Sequence, residues 1–359
     1  MRLAIRFFAI ISLTLMSTNF VFSQTDSSSL SLRLYSSAFF DNKEFTGNIK
    51  KGYTTPGFFL QPTFNIESAK YSLDAGFHIL YLAGGDSLEK FVPVLRLTYN
   101  ISPTFSMTVG TINSKENHFL PEPLFKTERL YLNQPELGVQ FKVDRLKYKG
   151  DLWINWERYI KTGSPYQEEF AVGFVSQIKP STFDTKSGIY ATTIALATHK
   201  GGQIDSTGLP VITLINLGGS VGHRFFIADS DIMAGFEISG YISSDKSPNP
   251  QSKYKSGNAI HPKLALIWPS ILLEVGYWQS TKFVNPRGEE LFGSLSTVNP
   301  SFDEDKRKII TSTLAFSKNI NKEFFVTTGF NAYLDLKNEK TEYSYFFRLV
   351  FDGKVLTKP

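Results

Sequence analysis

The stretch Glu136–Tyr159, ELGVQFKVDRLKYKGDLWINWERY, constrains the fold more than any other part of the chain. Leu137, Val139, Phe141 and Val143 alternate with Glu136, Gly138, Gln140 and Lys142. After a short turn Tyr148, Leu152, Ile154 and Trp156 alternate with Lys147, Lys149, Asp151, Asn155 and Glu157. A period of two places one set on each face of a β-strand, so the pair reads as a hairpin with one apolar and one charged face. Such a hairpin belongs either to a soluble sandwich, with its charges in water, or to a membrane barrel, with its charges in the lumen.

The amino terminus points to the compartment. Arg2 and Arg6 precede an apolar run from Phe7 to Met16, followed by Val21, Phe22 and Ser23. This is the pattern of a secretory signal peptide, residues 1–23, with cleavage expected before Gln24. The run is too short to span a bilayer, which takes roughly 20 apolar residues. Residues 24–359 are then expected to form one domain. They offer no long apolar segment for a spanning helix, and a membrane protein without such helices must be a closed barrel, because lipid satisfies no unpaired backbone group.

Period-two patterning continues along the chain. Phe58, Leu60, Pro62, Phe64 and Ile66 oppose Gln61, Thr63, Asn65 and Glu67; Tyr71, Leu73, Ala75, Phe77, Ile79 and Tyr81 oppose Asp74, Gly76 and His78. Further strands are read at 30–40, up to Ile101 and at 104–113, 167–179, 188–198, 211–225, 231–243, 258–268, 271–283, 308–317, 324–336 and 342–351. Tight turns near 67–70, 102–103, 144–146, 227–230, 269–270 and 318–322 alternate with longer loops, 180–187 being the one overlong turn. The expected fold class is therefore an all-β, transmembrane, antiparallel up-and-down barrel of about 16 strands, with 14 to 18 as the range that uncertain boundaries allow. Its location is the outer membrane of a Gram-negative bacterium, among outer-membrane lipid and lipopolysaccharide.

In the last strand Tyr343, Tyr345, Phe347, Leu349 and Phe351 occupy alternate positions. This resembles the carboxy-terminal targeting strand that the barrel-assembly machinery reads, although Asp352–Pro359 trail beyond it. Length, signal peptide and strand count together resemble the general bacterial porins, and the resemblance implies a passive channel for small hydrophilic solutes and a homotrimer. It also implies that the connection after the fifth strand, 114–133, folds inward as a constriction loop carrying Lys115, Glu116, Glu122, Lys126, Glu128 and Arg129. Deleting Leu120 to Glu128 would then widen the pore. The alternative is a non-channel barrel that scaffolds or serves an envelope assembly or secretion complex.

Alternation assigns the lumen. Its basic residues are Arg33, Arg96, Lys142, Lys147, Lys149, Arg224, Lys263, Lys308 and Arg348, and its acids are Glu67, Asp74, Glu136, Asp151, Glu157, Glu169, Glu237, Glu274 and Asp335, with His78 beside them. Balanced signs give no ion preference, but so many ionisable groups require water or pairing inside. The formal charge of +5, which becomes about +3 without Arg2 and Arg6, carries no Lys/Arg cluster among aromatic residues, so no nucleic-acid partner is expected.

The five histidines match no catalytic pattern of a barrel enzyme. His223 is followed by Arg224 and Phe225, not by the Ser two positions on that an outer-membrane phospholipase needs, and His199 with Asp205 matches an omptin-type protease poorly. Asp303, Glu304 and Asp305 lack the spaced oxygens and Gly of a calcium loop, so they read as a solvated acidic run. With no Cys, there is neither a disulfide nor a thiolate metal site. A barrel that is not an enzyme and carries no cofactor or metal is the expectation.

Overall fold

Sixteen alternating segments become sixteen strands. The computed structural model describes residues 28–114, 117–228, 230–248, 253–299 and 301–358. The signal segment 1–23 and the constriction candidates Lys115 and Glu116 lie outside the described residues. The strands are β1 (Ser29–Glu44), β2 (Thr54–Glu67), β3 (Tyr71–Leu82), β4 (Lys90–Ser102), β5 (Phe105–Thr111), β6 (Leu137–Arg145), β7 (Tyr148–Arg158) and β8 (Glu168–Ile178). They continue as β9 (Gly188–Gly201), β10 (Ile212–Phe226), β11 (Met233–Asp245), β12 (Ser256–Ile267), β13 (Ile271–Thr281), β14 (Lys306–Asn319), β15 (Phe324–Asp335) and β16 (Lys340–Lys358). Each pairs antiparallel with its sequence neighbours, and β16 closes the barrel on β1.

Closure uses more of the chain than the aromatic repeat suggests. Residues 352–358 do not trail. They extend β16 along β1, with Leu30 opposite Lys358 and Leu34 opposite Gly353, across a bulge at Leu32/Arg33. An unpaired edge here would leave backbone groups bare in lipid.

The outward face is apolar. On β4, Phe91, Leu95, Leu97, Tyr99 and Ile101 are 45–62% exposed, a row that water would not tolerate and hydrocarbon does. Short turns lie at the end where both termini of the barrel emerge, and the connections 45–53, 112–136 and 282–305 lie at the other; by the usual asymmetry of such barrels the first end is periplasmic and the second extracellular. Two strand-face expectations are corrected. Lys308 shares the outward parity of Ile310 and Leu314 and is exposed, while its neighbour Arg307 points inward and is buried. Lys147 lies in the exposed turn between β6 and β7, not on a strand.

Polar-in alternation fails at particular points of the wall. Trp153 of β7, Trp278 of β13, Ile309 of β14 and Tyr333 of β15 are buried inside, packed with Leu120, Leu124, Phe125, Phe283, Leu291 and Phe292 from the two long extracellular connections. Phe39, Phe59 and Leu80 form a second inner cluster with Tyr35 and Tyr131. Gly173 of β8 shows how closely this interior is fitted, because a Cβ there would lie 2.1 Å from the Trp153 ring. The lumen on the extracellular side therefore holds a hydrophobic core of its own, made by inward wall residues and inserted loops.

Removing residues 352–359 should leave the first third of β1 paired with β2 alone and open the barrel seam there. The expected result is loss of the heat-modifiable, folded band on cold gel electrophoresis; a truncated chain that folds as well as the full one would contradict this closure.

Candidate functional site

The segment 112–136 crosses the lumen. Near its start His118 bonds Asp151 on β7, and a few residues later Glu122 accepts a hydrogen bond from the Tyr333 hydroxyl on β15. In a closed barrel of sixteen strands, β7 and β15 stand eight strands apart, on opposite walls. A single helical turn, Arg129–Leu132, then carries Tyr131 to Asp41 on β1, at 2.5 Å.

Three constellations follow from that path. In the first, His118 is fully buried, with Nδ1 2.9 Å from Asp151 and Nε2 2.7 Å from Glu136. Its ring stacks on Trp153 with centroids 4.0 Å apart and planes 7° from parallel. Burial opposes a charged ring here, but hydrogen bonds to Asp151 and Glu136 outweigh it and raise the His118 pKa above its ordinary value. Both nitrogens are committed, so the ring is a clamp between two carboxylates. Gln140 donates to Asp151 at 2.9 Å, and Arg287 from connection 282–305 reaches Glu136 at 3.2 Å and also Glu157, which pairs with Arg129. The clamp is held at a backbone cost: Asn117, His118 and Phe119 all sit at φ between 48° and 58°, a left-handed run costing roughly 1–2 kcal/mol per residue. Strain of this kind persists only where surrounding contacts enforce it, and it concentrates at functional sites.

The second constellation is a closed ring of six alternating charges. Lys43 bridges Glu128 and Glu289, both at 2.8 Å. Lys50 bridges Glu289 and Glu290. Lys126 bridges Glu290 at 3.1 Å and Glu128 at 2.7 Å, which returns to the start. Each carboxylate thus receives two ammonium groups, and the charges sum to zero. Burial alone would push Glu128 up, but Lys43, Lys126 and Lys50 hold it well below the usual carboxylate range; Glu290 is lowered to about 2, where Lys50 and Lys126 likewise outweigh burial. The ring joins β1, connection 45–53, segment 112–136 and connection 282–305.

The third is a cavity of about 220 Å3 bordered by the ring, lined among others by Asp41, Lys43, Glu122, Tyr131, Tyr333 and Arg348. Burial, with the neighbouring charge of Glu289, raises Glu122 to about 7.

Other residues singled out in the sequence fall around the wall. Asp74 pairs with Arg96 at 3.6 Å and accepts from Asn65, and His78 bonds Gln61. Lys263 lies between Glu237 (3.1 Å) and Glu274 (3.5 Å). Asp335 meets Arg307, Lys142 lies over the Phe119 ring, and Lys149 pairs with Asp144. Arg33 and Arg348 face inward at the β1–β16 seam, and Arg224 lies over Tyr190. The acidic run is not simply solvated: Glu304 is buried and pairs with Arg307, while Asp303 and Asp305 engage Lys253 and Tyr254. His223 faces outward beside Phe225 and Phe236. Residue-by-residue reading missed Lys43, Lys50, Arg287, Glu289 and Glu290. Their signal was a lysine at the end of β1 with another in the connection after it, and a pair of acidic residues in connection 282–305, which only the fold brings together.

Lys43→Met would leave Glu128 and Glu289 each short of one cation, and breaking a buried pair from one side costs about 3–5 kcal/mol. The barrel should stay closed while segment 112–136 becomes sensitive to limited proteolysis. The same release is expected in the wild type on acidification. Because Glu128 and Glu290 are depressed in the folded state, their contribution is complete above their ordinary value of 4.5 and is lost as the pH falls below it. Equal protection of the segment in variant and wild type would contradict the ring's role.

Among solved structures the chain is similar to the outer-membrane protein OmpT of Vibrio cholerae in a form lacking loop L8, with a TM-score of 0.53 and 9% identity over 90% of this chain and 99% of that one. It is also similar to OpdK of Pseudomonas aeruginosa, with a TM-score of 0.51 and 8% identity over 92% and 99%, and to OccK2 (OpdF) of the same organism, at 0.51 and 9% over 91% and 98%. At such identities these likenesses speak for the outer-membrane barrel fold. No curated protein matches the chain. A family model described as lipid A 3'-O-deacylase-type matches residues 22–359. That match overturns the expectation of a non-enzymatic barrel, which rested on adjacent His–Ser motifs and could not register groups gathered from separate connections. The chain belongs to the lipid A 3'-O-deacylase-type family.

Proposed function

We propose that this protein is an outer-membrane hydrolase that releases an ester-linked acyl chain from a lipid A-type glycolipid, with its reacting groups at the cavity bordered by the charge ring. The observation that supports this most is Glu122, a carboxyl raised to about 7 on the wall of that cavity. A carboxylate poised near neutral pH is suited to take a proton from an attacking water. Lys43 has three N–H donors, of which two serve Glu128 and Glu289; the third can meet the oxyanion that forms as water adds to an ester carbonyl. Tyr131 and Phe346 give the cavity apolar walls for acyl carbons. His118, with both nitrogens engaged, is a positioning residue that fixes the path of segment 112–136. The substrate class comes from family membership.

A second reading keeps the chain as a passive channel for small hydrophilic solutes, with 114–133 as its constriction and Lys126, Glu128 and Arg129 bordering the passage. In its favour, part of the inward wall stays wet: Lys263, Glu237 and Glu274 are 18–30% exposed.

The two part on fatty-acid release. Refolded mature protein incubated with lipid A in mixed micelles should yield a product one acyl chain lighter by mass spectrometry. Because Glu122 must be ionised to act as a base, the rate should climb as the pH rises through about 7. Glu122→Gln should lower it by roughly 100-fold or more and abolish that rise. Absence of acyl release by the wild type, or an unchanged rate in the variant, would remove the hydrolase reading.

A further inference from the structure

The turn 179–187 is the longest connection at the periplasmic end, and it does not hang free. Its backbone docks on the neighbouring β6–β7 turn, with the Lys179 N–H donating to the Lys147 carbonyl (3.0 Å) and the Phe183 N–H to the Leu146 carbonyl (2.7 Å). Lys149 lies over the Phe183 ring at 5.2 Å. The turn ends at Gly188, whose φ of 119° no L side chain adopts without strain, and where a Cβ would lie 2.4 Å from Ser181 Oγ. A shaped connection of this kind, nine residues long where a tight turn would serve, calls for a reason beyond joining two strands.

What the turn builds is a cavity of about 380 Å3, lined by Lys179, Phe183, Thr185, Lys186, Tyr190 and Arg224 with uncharged neighbours. Three of these residues are cations and none is an acid. Lys179 is only 7% exposed, and its ammonium group donates to the Thr185 carbonyl. Arg224 lies over the Tyr190 ring at 5.4 Å. Among the described residues, Lys179, Lys186 and Arg224 make no ion pair. The nearby carboxylates are committed or absent from the lining: Glu237 is held by Lys263 and by the Tyr190 hydroxyl, Asp144 pairs with Lys149, and Asp184 is exposed outside the cavity. Three cations around one cavity with no carboxylate in its lining make a locally positive site that attracts a counter-anion, although Lys186 and Arg224 keep contact with water.

We propose that this cavity is a binding site for a small phosphate-bearing ligand, with the phosphate among Lys179, Lys186 and Arg224 and the rest of the molecule against Tyr190 and Phe183. Three cations favour a dianionic phosphate over a single carboxylate, and an Arg fork with two Lys donors matches phosphate oxygens. The volume lies within the range of roughly 300–1,000 Å3 usual for small-ligand pockets, so more than inorganic phosphate fits. The site lies at the opposite end of the barrel from the charge ring and does not depend on the hydrolase reading. Its ligand can reach it as a soluble phosphate of the periplasm or as the headgroup of an inner-leaflet phospholipid.

The test is calorimetric titration of the folded mature protein in neutral-detergent micelles with inorganic phosphate and with glucose 6-phosphate. Saturable binding of at least one is expected, weakened roughly tenfold or more in Lys186→Gln and in Arg224→Gln. Lys186 is exposed in the turn, so that variant keeps the test valid if Arg224→Gln folds poorly. Repeating the titration in nanodiscs separates the sources: binding that persists in phosphatidylglycerol discs identifies a soluble ligand, and binding lost there identifies a lipid headgroup. No saturable heat with either probe, or equal affinity in wild type and both variants, would overturn the site.

Discussion

The six-membered ring of Lys43, Glu128, Lys126, Glu290, Lys50 and Glu289 is the constraint on which the extracellular half of the interior depends. Its members come from a strand and three connections that are remote in sequence. Alternation makes it neutral as a whole, yet no member can leave without stranding two opposite charges inside. Such an arrangement adds little net stability, since desolvation consumes much of the Coulombic gain, but it is demanding about geometry. The loops can therefore take one arrangement in the lumen and few others. The His118 clamp fixes the amino-terminal part of segment 112–136, and the apolar core around Trp153 and Trp278 fills the space between. The position of Glu122 on the cavity wall is a consequence of these attachments.

How much of this could be read from the sequence divides along a physical line. Period-two alternation is local, so strand number, closure into a barrel and the sidedness of turns and loops were all legible. Errors came where a residue's role is set by a partner elsewhere. The polar face of β7 was read as lining water, although Trp153 sits within it as the platform for His118. Segment 112–136 was singled out by length and by resemblance to porins. In its partner connection 282–305 only the run Asp303 to Asp305 stands out in the sequence, because Glu289 and Glu290 acquire meaning only opposite Lys43 and Lys50. Lys308, expected inward, shares the outward parity of Ile310 and Leu314, and Arg307 is the inward cation. At the carboxy terminus the aromatic repeat ends at Phe351, while hydrogen-bonding demand carries the strand on to Lys358.

Fold and family point in different directions, and there is no conflict in that. Barrels that resemble this one at 8–9% identity share its walls and closure, and a barrel wall is compatible with a pore, a plug or an enzyme. What differs is the content of the lumen. Water-lined charges with partial exposure suit passage, and buried, mutually neutralised charges suit a fixed arrangement of groups. This chain has the second kind around segment 112–136 and the first around Lys263.

The central claim is that the charge ring holds the connections across the lumen and thereby narrows it. The most direct measurement is single-channel conductance in planar bilayers of the wild type beside the variant Lys43→Met/Lys50→Met, both verified as folded barrels. The expected result is small or absent steps for the wild type and clearly larger steps once the ring is opened. Large, sustained steps of the same size from both proteins would contradict it.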